Sequence, residues 1–238
     1  MNLTEAFDIK KHDIVAFVGS GGKTTAMYTL AEELMENGSV LVTTTTKIGI
    51  PKNQSELKMY YPMDKIAEID NKRFRLIVTG GREEKNKITS ITDEDFKAVY
   101  KKFDYILIES DGSKMLPYKA WREFEPVIRE ETTKTIGIIP INGILEKIGR
   151  DRIFNDELFV ENFGFKDILT MDVLLNILKS KSGIFKGAKG KKYLYFNHCT
   201  TENDVLKAKM IIDELSKLDL DIEYVYGSTL KGYNLYKK

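Results

Sequence analysis

Two short stretches of this sequence carry residue types that do chemistry together. The first is Gly19-Ser20-Gly21-Gly22-Lys23-Thr24-Thr25, which follows the apolar run Ile14-Val15-Ala16-Phe17-Val18. Glycines at this density let a backbone turn tightly and point successive N–H groups at one anion, and a helix that starts there adds its positive end. A lysine in that position reaches terminal phosphates, and the hydroxyl after it ligates magnesium. Lys23 and Thr24 are therefore the expected phosphate and metal contacts, with Gly19, Ser20, Gly21, Gly22 and Thr25 completing the cradle. The longer form of the motif needs a glycine where Phe17 stands, so this is a shortened phosphate-binding loop.

The second stretch is Tyr105-Ile106-Leu107-Ile108-Glu109-Ser110-Asp111-Gly112. Its apolar residues suit a central strand whose C-terminal tip carries two carboxylates. Beside a phosphate loop, a carboxylate there holds the metal directly or through water. Because side chains alternate along a strand, Glu109 and Asp111 face the same side. One is then a metal partner opposite Thr24, and the other a base or substrate contact. Catalytic roles are expected for Lys23, Glu109 and Asp111. A third candidate is Val40-Leu41-Val42 running into Thr43-Thr44-Thr45-Thr46-Lys47, a buried strand that delivers hydroxyls to its C-terminal end, where ligands bind in open α/β sheets. Thr45, Thr46 and Lys47 are thus substrate candidates.

The elements that must hold these groups alternate between strand and helix. Met27, Leu30, Ala31, Leu34 and Met35 recur at helical spacing after the loop and end at Asn37-Gly38. Residues 49–61 read as a loop, 63–69 as a short helix, and 76–79 as a strand closed by Gly80-Gly81. Thr92 caps a helix running to Lys101. Strands follow at 135–141, 193–196 and 222–226, the last closing the sheet, with a helix marked by Val205, Ala208, Ile211, Ile212 and Leu215. The fold expected is a three-layer, mostly parallel α/β sheet of the P-loop NTPase type. It forms a single nucleotide-binding domain over 1–238, with 142–181 as a mainly helical appendage.

Composition narrows the function classes. Across 238 residues, 37 basic and 36 acidic side chains leave a formal net charge of +1, so nothing global points to nucleic acid or an acidic membrane surface. No apolar run approaches the roughly 18 residues that a membrane span needs, and residues 1–13 do not read as a signal peptide. A single cysteine, Cys199, excludes an internal disulfide and suits a reducing cytoplasm. The stretch 179–192 holds six lysines and no acid, and reads either as an anion clamp or as a solvated basic loop. It lacks the interleaved aromatics that stack bases, which weighs against nucleic acid. Arg150 and Arg152 suit a phosphate, an acidic substrate or ordinary ion pairs. His12 and His198 have no zinc spacing around them.

Phe17 to Thr25, Val40 to Ile48, Val78 to Gly81 and above all Ile108 to Ala120 resemble the YqeC family, and the likeness continues through Gly183 to Gly187. Glu109-Ser110-Asp111-Gly112-Ser113-Lys114, with Pro117 and Lys119 downstream, is its most specific part. The resemblance implies a nucleotide-binding accessory protein of selenium-dependent molybdenum hydroxylases, acting on or with a small anionic substrate related to molybdopterin or selenium, alongside other maturation proteins. It also brings Lys119 and Lys186 forward as substrate contacts. The two motifs are similar, locally, to those of Mur-type peptide ligases, whose strand-tip glutamate binds metal, and that likeness favours Glu109 as the metal ligand. Where nucleotide-binding proteins often carry Asn-Lys-x-Asp, this chain has Asn197-His198-Cys199-Thr200, which weighs against a guanine preference. The expectation is therefore Mg2+ with ATP, ahead of GTP, and cleavage or transfer of the terminal phosphate. A nucleotide-gated cofactor chaperone and a ligase- or kinase-type activation of a small acid stand as alternatives.

Overall fold

A computed structural model describes residues 1–49, 58–62, 75–85, 87–230 and 234–238, with side chains of 58–62 left aside. In chain order the elements begin with α1 (Leu3–Ala6), β1 (Ile14–Gly19), α2 (Lys23–Leu34), β2 (Val40–Thr44), β3 (Lys47–Gly49), β4 (Lys58–Pro62) and β5 (Leu76–Gly80). Next come β6 (Glu83–Glu84), β7 (Lys87–Thr89), α3 (Asp93–Val99), β8 (Tyr105–Glu109), β9 (Tyr118–Lys119), β10 (Lys134–Pro140) and β11 (Ile153–Phe154). The chain ends with α4 (Asp156–Phe163), α5 (Met171–Lys179), β12 (Lys191–Asn197), α6 (Glu202–Leu215), β13 (Glu223–Gly227) and β14 (Leu235–Lys237).

The main sheet runs in the order β14-β13-β12-β10-β1-β8-β2-β5-β4, and every pairing is parallel except that of β13 with β14. The phosphate-loop strand β1 therefore sits at the centre, with the carboxylate-tipped β8 directly beside it. Both strands are buried along their whole length, as a strand covered on two faces must be.

Alternation assigns the faces. Val15 and Phe17 of β1 pack with α1 and α2, while Ile14 joins the cluster under α3 and Val18 joins the one under α4, α5 and α6. The result is the expected three-layer architecture. Helix starts follow the capping rules: Thr92, Thr170 and Thr201 each accept an N–H bond from the third helical residue. Residues 142–181 supply α4, α5 and short bridges rather than continuous helix. Their Ile144, Ile148, Phe159, Phe163 and Leu174 join the core over β10 and β12.

Three sequence expectations change. Residues 58–62, overlapping the end of the loop expected over 49–61, form the edge strand β4, because Met59, Tyr60 and Tyr61 are residue types that suit a strand. Gly80-Gly81 opens not a simple turn but the hairpin β6–β7, which pairs with β3 in a small antiparallel sheet. The strand at 223–227 does not close the main sheet, since β14 adds antiparallel to it. The helix expected at 63–69 lies outside the described residues. Among the described residues, no helix is long and apolar enough to cross a membrane.

Candidate functional site

The loop between β1 and α2 is glycine-built because nothing else fits. Gly19, Gly21 and Gly22 have φ of +98°, +75° and +113°, a region that L side chains rarely adopt. A Cβ on Gly19 would stand 2.3 Å from the Ile138 carbonyl, and one on Gly22 would stand 2.4 Å from Asn197 Nδ2. Gly22 also leaves the α2 N-terminus without a side-chain cap, so its N–H groups stay open to an anion. Over that end lies a cavity of about 370 Å³ between the loop, the segment Ser113–Pro117 and His198.

Lys23 and Thr24 line that cavity, and the buried carboxylates of Asp111 and Glu109 meet them. Thr24 Oγ1 donates to Glu109 Oε2 at 2.7 Å. Lys23 Nζ donates to the Gly19 carbonyl at 2.6 Å and lies 3.1 Å from Asp111 Oδ1. The other Asp111 oxygen accepts from the Gly19 N–H at 2.9 Å and from Trp121 Nε1 at 2.5 Å, and lies 3.4 Å from Lys119 Nζ. Asp111 is fully buried and ties the start of the phosphate loop to the chain beyond β8. Thr24 and Glu109 together are a pair of hard oxygen donors suited to a divalent cation.

Burial sets the electrostatics. It pushes the Glu109 carboxyl upward, with repulsion from Asp111 adding to it and Lys23 and Thr24 only partly offsetting it. Burial also works against the Lys23 charge, but the Asp111 and Glu109 carboxylates outweigh it and hold the ammonium above its usual range. Lys119 goes the other way: burial, aided by Lys23, lowers it despite Asp111 and Glu125.

The remaining sequence candidates scatter. Lys119 is not solvent-facing; its ammonium is buried against Asp111, Glu125 and the Gly112 carbonyl, 5.5 Å from the Trp121 ring. Ser20 Oγ donates to the Pro117 carbonyl at 2.7 Å and fastens the 112–117 segment to the loop, while Thr25 lines the cavity. Thr46 N–H donates to Thr44 Oγ1, and Thr45 Oγ1 turns to the other side of the strand tip and donates to the Val127 carbonyl. Lys47 pairs with Glu84 at 2.5 Å on the small sheet. Lys186 donates to the carbonyls of Arg122 and Glu123 and lines a different cavity. Arg150 lies 3.8 Å from Asp156, an ordinary ion pair.

Sequence reasoning missed Asn197 and His198. Asn197 Nδ2 donates to the Gly21 carbonyl at 2.9 Å, and its Oδ1 accepts from Tyr195, so the amide braces the loop. His198 borders the cavity, and burial lowers its imidazole. Both sit at the C-terminal end of β12, where residues of a parallel sheet meet ligands, and that position was the available signal.

Comparison with known proteins places the chain. The family model described as "YqeC protein" matches residues 15–157, which include both chemical stretches. The "Uncharacterized protein YqeC" of Escherichia coli (strain K12) is 24% identical over 211 residues, spanning 85% of this chain and 82% of that protein. Among solved structures, PAB0955, a GTPase in apo form from Pyrococcus abyssi, is similar at 15% identity and a TM-score of 0.36, covering 92% of this chain and 91% of that one. With more than half of its length matched by the family model, the chain belongs to the YqeC family.

Proposed function

We propose that this protein binds a magnesium nucleoside triphosphate, ATP ahead of GTP, on Gly19–Thr25 and cleaves or transfers its terminal phosphate. The observation that carries the reading is the 2.7 Å contact between Thr24 Oγ1 and Glu109 Oε2 at the mouth of the uncapped α2 N-terminus. Thr24 Oγ1 and Glu109 Oε2 are hard oxygen donors of the kind a divalent cation takes, and they would hold it beside the phosphates. Magnesium favours that arrangement, and when bound it neutralises charge on the terminal phosphates. In this reading the loop N–H groups bind the phosphates, and Lys23 turns from the Gly19 carbonyl to meet them. Glu109 and Thr24 would hold the metal. Asp111 keeps Lys23 charged and the loop closed.

Asn197 spends its amide on Gly21 and Tyr195, and a threonine stands where a guanine-reading carboxylate would be needed, which supports ATP. The process served is the maturation of a selenium-dependent molybdenum hydroxylase, a role that rests on the family resemblance. A second reading, nucleotide-gated delivery of a cofactor with slow turnover, is favoured by one feature. The oxygens of Asp111 face Gly19, Trp121, Lys23 and Lys119, so this carboxylate is not a free base.

Calorimetry with MgATP and MgGTP tests the binding step. Lys23→Ala is expected to weaken MgATP by about 100-fold, the scale of losing charge-assisted bonds to phosphate. Unchanged affinity, or no binding by the native protein, sinks the proposal. Phosphate release with and without a panel of acceptors then separates transfer from gating.

A further inference from the structure

Two buried ammoniums share Asp111, and the nucleotide reading uses only one of them. Lys23 Nζ faces Asp111 Oδ1 at 3.1 Å, and that oxygen accepts no hydrogen bond. Lys119 Nζ lies 3.4 Å from Asp111 Oδ2, the oxygen that also accepts from Gly19 and Trp121. Lys23 lines the phosphate-loop cavity, whereas the Lys119 side chain is fully buried and takes no part in the lining. Other groups fix Lys119 in place. Its Nζ donates to the Gly112 carbonyl at 2.6 Å, lies 3.5 Å from Glu125 Oε2 and sits 5.5 Å from the centre of the Trp121 ring. One carboxylate therefore has one cation placed to leave toward a ligand and one held where it is.

Charge accounting gives the second cation a purpose. Asp111 is fully buried, and a buried carboxylate stripped of its counter-charge is costly. With Lys23 as its sole partner, each turn of that ammonium toward a phosphate would strand the carboxylate, and the ion pair would oppose binding. With Lys119 in place the carboxylate stays compensated, so Lys23 exchanges one anion for another. Sharing also loosens the hold on Lys23, because the two ammoniums repel each other across Asp111.

We infer that Lys119 is a positioning residue for the phosphate loop: it holds the Asp111 charge while Lys23 leaves for the terminal phosphates. The use of this exchange in nucleotide binding rests on the reading above; the sharing of Asp111 by the two lysines does not.

Urea unfolding and calorimetry on the full chain test the inference. In the ligand-free protein, Lys23→Met imitates the departure of Lys23, and unfolding then reads what Lys119 supplies. Lys119→Met should lower the urea midpoint further in the Lys23→Met background than in the native one, because the double variant leaves Asp111 without either ammonium. An equal or smaller drop, or a Lys119→Met variant that does not fold while Lys23 is present, overturns the inference. Calorimetry with MgATP reads the exchange itself. Lys119→Met should weaken MgATP about tenfold, but less than about twofold in the Asp111→Asn background, where no carboxylate holds Lys23. Equal weakening in both backgrounds would make Lys119 a charge felt through space, and unchanged affinity on Lys119→Met alone would mean that Lys23 needs no release; either result overturns it. Absence of MgATP binding by the native protein counts against the nucleotide reading, and the urea comparison still decides whether Lys119 holds Asp111 once Lys23 is gone.

Discussion

On the phosphate-loop side of the β8 tip, Glu109 meets Thr24, and Asp111 meets Lys23, Lys119, Gly19 and Trp121. On the α3 side, one residue along the chain, Ser110, Thr43 and the Nε of Arg129 face no partner at all. The two sides are equally buried, so exposure does not explain the difference. The first side holds charge, which a low-dielectric interior tolerates only when it is compensated by the chain itself. The unmet groups of the second side are mostly neutral hydroxyls, which stay unpaired at a smaller cost. The preassembled side is thus held together by electrostatic necessity, and the unpaired side carries only the smaller cost of unmet neutral groups.

The sharpest way to break this comparison is Asp111→Ala. It removes the carboxylate shared by the ammoniums of Lys23 and Lys119, both nearly or fully buried, and leaves them only the more weakly placed Glu109 and Glu125. Removing one partner from a buried ionic network costs about 3–5 kcal/mol. Urea unfolding of the variant should show a loss of that order, and a loss under about 1 kcal/mol would mean that water reaches the network and the side is not preassembled.

The other side should respond with the opposite sign. Ser110→Ala removes a buried hydroxyl that bonds to nothing, so stability in the absence of ligand should rise by about 1 kcal/mol. Thr24→Val, the matching deletion on the loop side, should lower it, because Glu109 loses its hydroxyl donor. Thermal melts of the two variants in metal-free buffer compare them directly. A destabilised Ser110→Ala would show that the hydroxyl has a partner after all.

The contrast also marks what sequence could carry. The β1 loop was legible because Gly19, Gly21 and Gly22 announce a backbone that only glycine adopts, and Lys23-Thr24 follows at fixed spacing. The apolar runs at 105–108 and 135–139 were legible as buried parallel strands. Edge strands β4 and β14 were not, since neither has the continuous apolar run of a buried strand. The burial of Lys119 and Arg129 was least visible. Lys119 reads as a solvent-seeking substrate contact until Asp111 folds against it, and Arg129 sits before two glutamates in a stretch that looks solvated. Its partners Asp93 and Ile91 lie 36 and 38 residues away, and no local periodicity encodes such a contact.

The smallest effect serves as a control at the far end of the sheet. Asp8 accepts from Lys237 at 2.5 Å, Tyr193 at 2.9 Å and Lys191 at 3.2 Å, joining the N-terminal segment to β12 and β14 away from either side of the tip. The Lys237 bond, with help from Tyr193 and Lys191, outweighs burial and draws the Asp8 carboxyl down to about 2 from 3.8. Because the folded value lies below the unfolded one, the unfolded chain takes up the proton first. The stabilisation is complete above about pH 4 and is lost as the pH falls through about 2. The Asp8 side chain is 41% exposed, so solvent screening reduces its worth to about 1 kcal/mol at neutral pH. Asp8→Asn should cost that much at pH 7 and flatten the acid slope of stability between pH 4 and 2, with MgATP affinity unmoved. Urea titrations at pH 7, 4 and 3 measure the slope. If the variant keeps the native slope, Asp8 is not the group that titrates; if it disturbs ligand binding, the two sides of the tip are not insulated from the rest of the sheet, and their contrast loses its local meaning.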